Sequence, residues 1–216
     1  MSNRIISEIL SEPDAYFLLQ EAHAILNRER EKRVTFYNEI TEQEKVEFIN
    51  GEVVIHSPVK KKHNFASGLL YRILSIYSGK HDLGFVGIEK IMITLTRNDY
   101  EPDICFFRKD KSDNFTEDQV LFPAPDLVVE ILSDSTETRD RGVKFKDYQA
   151  HKIEEYWIID TENQTLEQYY LKGDAYDLIL KSSQGFVKSF VVSGFQIPIN
   201  AIFDETENLK AILNFQ

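Results

Sequence analysis

Two hydrophobic periods divide this chain. From residue 14 to about residue 32, Phe17, Leu18, Ala22, Ile25 and Leu26 recur at helical spacing, with no Gly or Pro after Pro13. The pattern predicts a helix with Asp14 as its cap, followed by a short helix near Asn38–Lys45. The period then changes. Val46–Ile55 is two apolar runs around Asn50-Gly51, a strong hairpin signal because both residues tolerate positive φ. After Ser57-Pro58 and a basic run, Lys60-Lys61-Lys62-His63, a helical stripe returns with Phe65, Leu69, Leu70, Ile73, Leu74 and Tyr77, closed by Gly79.

The rest of the chain reads mostly as strands. Gly84–Gly87, Lys90–Thr96, Tyr100–Phe107, Asp126–Leu132, Glu155–Asp160, Leu166–Leu171, Tyr176–Leu180 and Phe186–Val192 are short apolar or alternating runs bounded by turn residues. A helix is expected over Glu137–His151, anchored by Val143, Phe145 and Tyr148, and a short one at Leu209–Leu213. Arg108–Phe122 is polar and charged and reads as an exposed loop or short helix. Strands interleaved with helices make this an α/β chain.

Two strands carry the candidate chemistry. Glu101-Pro102-Asp103 introduces one, and Pro125-Asp126-Leu127-Val128-Val129-Glu130 the other. A carboxylate among apolar neighbours is costly unless paired, hydrogen-bonded or metal-bound. If the strands are neighbours, Asp103 and Glu130 come within a few ångströms of each other, at about the spacing a shared Mg²⁺ requires. Such an ion polarises a phosphodiester and activates water. Lys144 shares a helix face with Tyr148, four residues on, and an inward lysine needs a partner. Asp103 and Glu130 are its natural partners; Asp140, one turn earlier, is the alternative.

Composition narrows the classes. The 42% hydrophobic content with 15 Phe is enough for one sizeable core. The lone cysteine, Cys105, excludes an internal disulfide and a cysteine-based zinc site. Without an apolar leader or a membrane-length apolar run, the expectation is a soluble cytoplasmic protein with no membrane partner. A net charge of −11 argues against indiscriminate nucleic-acid binding, so any DNA contact needs a local basic patch or bridging metal.

The combined pattern resembles the PD-(D/E)XK nuclease superfamily, and within it the Uma-type family of putative restriction endonucleases. The matching pieces are Glu47…Asn50-Gly51-Glu52, Ser57-Pro58…His63, Glu101-Pro102-Asp103, Pro125 through Ser133, Asp140-Arg141…Lys144…Tyr148, and Glu155-Tyr156-Trp157-Ile158-Ile159-Asp160. They span about residues 35–171. The resemblance implies a restriction-endonuclease-like fold: a mixed central β-sheet flanked by helices, here with an N-terminal helical extension over 1–34 and the nuclease domain over 35–216. It implies a metal-dependent endodeoxyribonuclease using Mg²⁺ or Mn²⁺, with Asp103 and Glu130 as metal-binding acids. The superfamily lysine falls two residues after Glu130, where this chain has Leu132. Lys144 matches the helix lysine of Uma-type sequences and completes the catalytic set. Glu52 and His63 match accessory positions. The expected partners are DNA and a second copy in a homodimer. Because fold does not dictate function, a non-catalytic DNA- or protein-interaction module on the nuclease fold is the second reading.

Overall fold

The computed structural model describes residues 2–41 and 43–215. In chain order the elements are α1 (Ser2–Ser11), α2 (Ala15–Glu39), β1 (Val46–Ile49), β2 (Glu52–Ile55), α3 (Lys61–Lys80), β3 (Gly84–Ile88), β4 (Met92–Thr94), β5 (Asp99–Tyr100) and β6 (Ile104–Arg108). There follow α4 (Lys109–Ser112), β7 (Leu121–Phe122), β8 (Leu127–Ile131), α5 (Glu137–Arg139), a π-helical turn (Asp140–Lys144) and α6 (Phe145–Ala150). The chain continues through β9 (Glu155–Asp160), β10 (Thr165–Lys172), β11 (Ala175–Ser182), β12 (Phe186–Lys188), β13 (Gln196–Pro198), a 3₁₀ turn (Ile199–Ile202) and α7 (Glu205–Leu213). They form two compact units, residues 1–56 with 96–99, and residues 57–95 with 100–216.

In the smaller unit, α2 runs on to Glu39, and among the described residues no separate helix forms over the rest of the Asn38–Lys45 stretch, one residue of which, 42, lies outside the described residues. Asp14 precedes α2 without a side-chain cap bond. The Asn-Gly hairpin is present: Ile49 lies opposite Glu52, with φ of 51° at Asn50 and 81° at Gly51. A Cβ on Gly51 would lie 2.6 Å from Glu29 Cγ, so glycine is demanded by both conformation and space. Asp99 holds the end of α2. It accepts two Arg33 bonds at 2.6 Å and one from the Tyr37 hydroxyl at 2.8 Å.

The larger unit contains a six-stranded sheet in the order β11-β10-β9-β8-β6-β3. Every neighbouring pair is antiparallel except β8 and β9, which are parallel. The sheet is therefore mixed. Parallel neighbours need a crossover, and α5, the π-helical turn and α6 supply it. The expected uninterrupted 137–151 helix is broken by that turn, whose wider winding is a common feature of functional sites. On one face of the sheet, α3 buries Leu70, Ile73 and Leu74 against Val129, Trp157 and Ile159. Phe65, expected in that stripe, is 40% exposed and stands outside the core. Asn208 of α7 locks onto α3 by donating to Leu69 O at 2.9 Å and accepting from Arg72 at 2.7 Å.

Two buried carboxylates secure the sheet's far edge. Glu155 of β9 accepts from Trp157, Gln168, Ser189 and the Phe190 and Val191 amides at 2.6–3.2 Å. Burial pushes its carboxyl upward despite these donors. Glu167 of β10 takes a two-bond clamp from Arg141 at 2.8 and 2.9 Å, with Tyr169 and Lys181 alongside. That clamp ties the π-helical turn to the sheet and holds the Glu167 carboxyl down at about 2, Arg141 first.

Replacing Glu155 with Ala removes the acceptor of the buried Trp157 and Ser189 donors and of one Gln168 amide hydrogen, each costing about 1–3 kcal/mol when unsatisfied. Urea unfolding is expected to register a loss of at least about 3 kcal/mol. The Glu167 clamp has a definite sign. A carboxyl near 2 in the folded chain, against an ordinary value of about 4.3, stabilises the fold above that ordinary value. The contribution disappears as pH falls towards 2. Arg141→Gln is therefore expected to lose about 1–2 kcal/mol at neutral pH, after allowance for solvent at the half-exposed arginine. Its melting temperature should fall less steeply than that of the parent between pH 5 and 3; parallel curves would show that the clamp is not the source.

Candidate active site

The site is built where β6 and β8 run side by side. Ile104 pairs with Val129, Cys105 with Val128 and Phe106 with Leu127. Carrying that register one residue further sets Asp103 opposite Glu130, and opposed residues of antiparallel strands share a face. Asp103 is 4% exposed and Glu130 3%. The strand sequences leave little choice: apolar residues surround both acids, and sliding by one residue would turn every side chain over.

Asp103 sits at the entrance of β6. Its Oδ2 accepts the Ile131 amide at 2.8 Å and lies 3.2 Å from His63 Nε2. His63 is in the first turn of α3 and is buried. Glu130 Oε1 accepts from the Lys144 ammonium at 3.0 Å and from the Tyr148 hydroxyl at 2.8 Å. Lys144 Nζ also lies 3.4 Å from Asp140 Oδ1, and 5.7 Å from the centre of the Tyr100 ring. Asp140, Lys144 and Tyr148 follow at intervals of four on one inward face and are at most 1% exposed. The pairing of Lys144 with Asp140 is thus part of the buried cluster rather than an exposed helix pair. Tyr148 and Tyr100 meet edge to face at 5.3 Å, and the Tyr156 hydroxyl donates to the Asp140 carbonyl at 3.1 Å. An aromatic wall therefore surrounds the ammonium, and inside it electrostatic interactions are stronger than in water.

Glu52 lies in the smaller unit. Its side chain is 76% exposed and pairs with Lys32 at 2.9 Å. Leu132, just past the end of β8, borders a cleft of about 270 Å³ together with His63, Lys60, Lys62 and Ser133. Lys60 pairs with Asp134 at 2.8 Å, and Lys62 pairs with Glu162. The basic run thus stands beside the cleft with two of its charges already met by exposed acids. Among the described residues, no group of three or more His, Cys, Asp or Glu side chains is arranged to hold a metal ion. Two carboxylates with hard oxygen donors still suit Mg²⁺, which usually takes one or two protein carboxylates and fills its other positions with water and phosphate oxygens.

Sequence reading named Tyr148 and Asp140 as neighbours of Lys144 but not as the second donor to Glu130 and a buried second acid, and it missed Tyr100, the ring beside Lys144. The signal for Tyr148 and Asp140 was their spacing of four from Lys144. Nothing in sequence marked Tyr100. No helix among the described residues is long and apolar enough to cross a membrane.

The chain is 30% identical over 134 residues to an uncharacterized protein of Synechocystis sp., covering 61% of this chain and 75% of that one. A second uncharacterized protein of the same organism is 32% identical over 148 residues, covering 64% and 73%. The fold matches the crystal structure of a putative nuclease belonging to DUF820 from Anabaena variabilis, with a TM-score of 0.67 at 18% identity over 78% of this chain and 94% of that one. Residues 34–200 match Uma2, described as "Putative restriction endonuclease". The chain belongs to the Uma2 family.

Proposed function

We propose that the protein is a metal-dependent endodeoxyribonuclease whose site comprises Asp103, Glu130 and Lys144. The observation that carries this reading is the buried Lys144 ammonium, 3.0 Å from the strand carboxylate Glu130, on a helix rather than at the strand position that Leu132 occupies. An Mg²⁺ or Mn²⁺ ion held by Asp103 and Glu130 would supply Lewis-acid polarisation of the phosphodiester and a water of lowered pKa. The chain's own residues supply orientation and charge. The Ile131 amide and His63 fix the rotation of the Asp103 carboxylate, and Tyr148 does the same for Glu130. Lys144 contributes a desolvated positive charge where negative charge builds on the phosphorane-like transition state. Lys60 and Lys62 are placed to meet flanking phosphates along the cleft. The two observations that favour the non-catalytic reading are Leu132 and the net charge of −11.

Incubation of plasmid DNA with Mg²⁺ or Mn²⁺, with and without EDTA, separates the readings. Metal-dependent cleavage is expected, and none with either metal would favour the interaction module. Asp103→Asn keeps the shape but removes the charge, and should abolish cleavage with folding intact; activity equal to the parent would remove Asp103 from the site. Lys144→Met keeps a similar volume while leaving Glu130 bonded to Tyr148. It is expected to lose cleavage by roughly 100-fold or more, the scale of losing one charge-stabilising donor. Lys146, two positions on, is exposed and serves as the control. Equal activity in Lys144→Met and Lys146→Met would show that no helix lysine serves the reaction.

A further inference from the structure

Tyr100 is fully buried and meets the crossover helix at two points. Its ring lies 5.7 Å from the Lys144 ammonium. Its hydroxyl donates to Asp147 Oδ2 at 2.8 Å. Lys144 and Asp147 are three residues apart, about one helical turn, so a single tyrosine spans both. Asp147 is itself held. His151, four residues on, brings Nδ1 to 2.8 Å from the Asp147 carbonyl oxygen and 3.1 Å from its Oδ1. Both oxygens are acceptors, so Nδ1 carries the proton. With Oδ1 turned to the histidine, Oδ2 is aimed at Tyr100. A run of contacts thus leads from His151 through Asp147 and Tyr100 to Lys144, and the mechanism described above uses only its last member.

The same tyrosine leads into the other half of the site. Only Glu101 and Pro102 separate it from Asp103. Pro102 fixes its own φ and restricts Glu101 before it, so this short segment is stiff and passes the placement of Tyr100 on to Asp103. The paired register of β6 with β8 begins at Ile104. Asp103 stands just before that ladder, its carbonyl bonded to the Glu89 amide at 3.0 Å, and its approach to Glu130 depends on the segment that delivers it. A shift of Tyr100 therefore moves the acid on β6 and the ring beside the lysine together. Charge acts in the same sense. A hydroxyl that donates to a carboxylate makes its ring richer in electrons, and a cation near the ring is held more firmly. We propose that Asp147, acting through the Tyr100 hydroxyl, is a positioning residue that fixes Asp103 and Lys144 relative to one another for phosphodiester cleavage. This role rests on the nuclease reading.

Steady-state cleavage of plasmid DNA by the full chain, well below each variant's melting temperature, tests this. Tyr100→Phe keeps the ring and removes the donor; Asp147→Ala removes the acceptor. Each should lower kcat by roughly 10- to 100-fold, the scale of a small misplacement of reacting groups, with KM for DNA little changed. Because both act through one bond, their effects should not add, and the double variant should be no slower than the slower single one. Gln149→Ala is the structural control. It removes the acceptor of the Tyr176 amide, bonded at 2.9 Å to the same helix, and should lower the melting temperature at unchanged kcat. Four results overturn the positioning role while leaving the nuclease reading in place: variants as fast as an active parent, a loss seen in KM alone, losses that multiply in the double variant, or an equal loss of kcat in Gln149→Ala. A parent that cuts no DNA with Mg²⁺ or Mn²⁺ overturns the nuclease reading and this role with it.

Discussion

The buried ion pair between Lys144 and Glu130 constrains much of the larger unit. Both residues are at most 3% exposed. Two charges removed from water each lose several kcal/mol of hydration, and their attraction repays this when geometry is good and the remaining valences are filled. The surroundings of the pair meet that condition. Tyr148 adds a second donor to Glu130, Asp140 gives Lys144 a second acid, and Tyr100 offers the face of its ring. Each of these requires the crossover helix to present one face to β8. The Arg141 clamp on Glu167 and the Tyr156 hydroxyl on the Asp140 carbonyl hold the π-helical turn there. A leucine and methionine pair of similar volume would fold as well or better. Stability alone does not explain the charges; the proposed phosphodiester chemistry would.

The buried acids of this unit divide by the source of their donors. Asp126 receives the Arg108 amide and guanidinium and the Lys111 ammonium at 2.8–2.9 Å. Glu155 receives five donors from its own sheet and the following loop. Both join segments remote in sequence, and their chemistry is spent in doing so. Asp103 and Glu130 differ. They stand opposite one another at the same end of adjacent strands, with a histidine on one and a lysine on the other. Like charges sharing one face of adjacent strands repel unless a cation intervenes, and Lys144 is the cation that the chain itself brings to Glu130.

Much of this was legible in the sequence because strand periodicity is strict. Two apolar runs, each carrying one acid, admit few registers, and so the placement of Asp103 opposite Glu130 follows from the alternation. The Asn50-Gly51 hairpin was legible for a similar reason, since few residues accept its backbone angles. Helix faces were harder. The spacing of Phe17, Leu18, Ala22, Ile25 and Leu26 marks a helix but says nothing about whether its stripe is buried, and here it is exposed. The π-helical turn was invisible, because it depends on the Glu167 clamp and the Tyr156 hydroxyl, both contributed by later strands. Tyr100 was missed because ring-to-ammonium proximity leaves no mark on spacing.

For an acidic chain to act on DNA as proposed, it must concentrate its positive charge, and the local charge arrangement allows this. Lys60 and Lys62 beside the cleft are paired with Asp134 and Glu162, exposed acids whose pairs contribute little because solvent screens them. A phosphate accepts stronger, charge-assisted bonds than those pairs provide. Displacing the acids therefore costs little, and each lysine that turns to the backbone also releases counterions from DNA. With few such contacts per chain, affinity is modest and its salt dependence shallow, because the slope scales with the number of phosphates contacted.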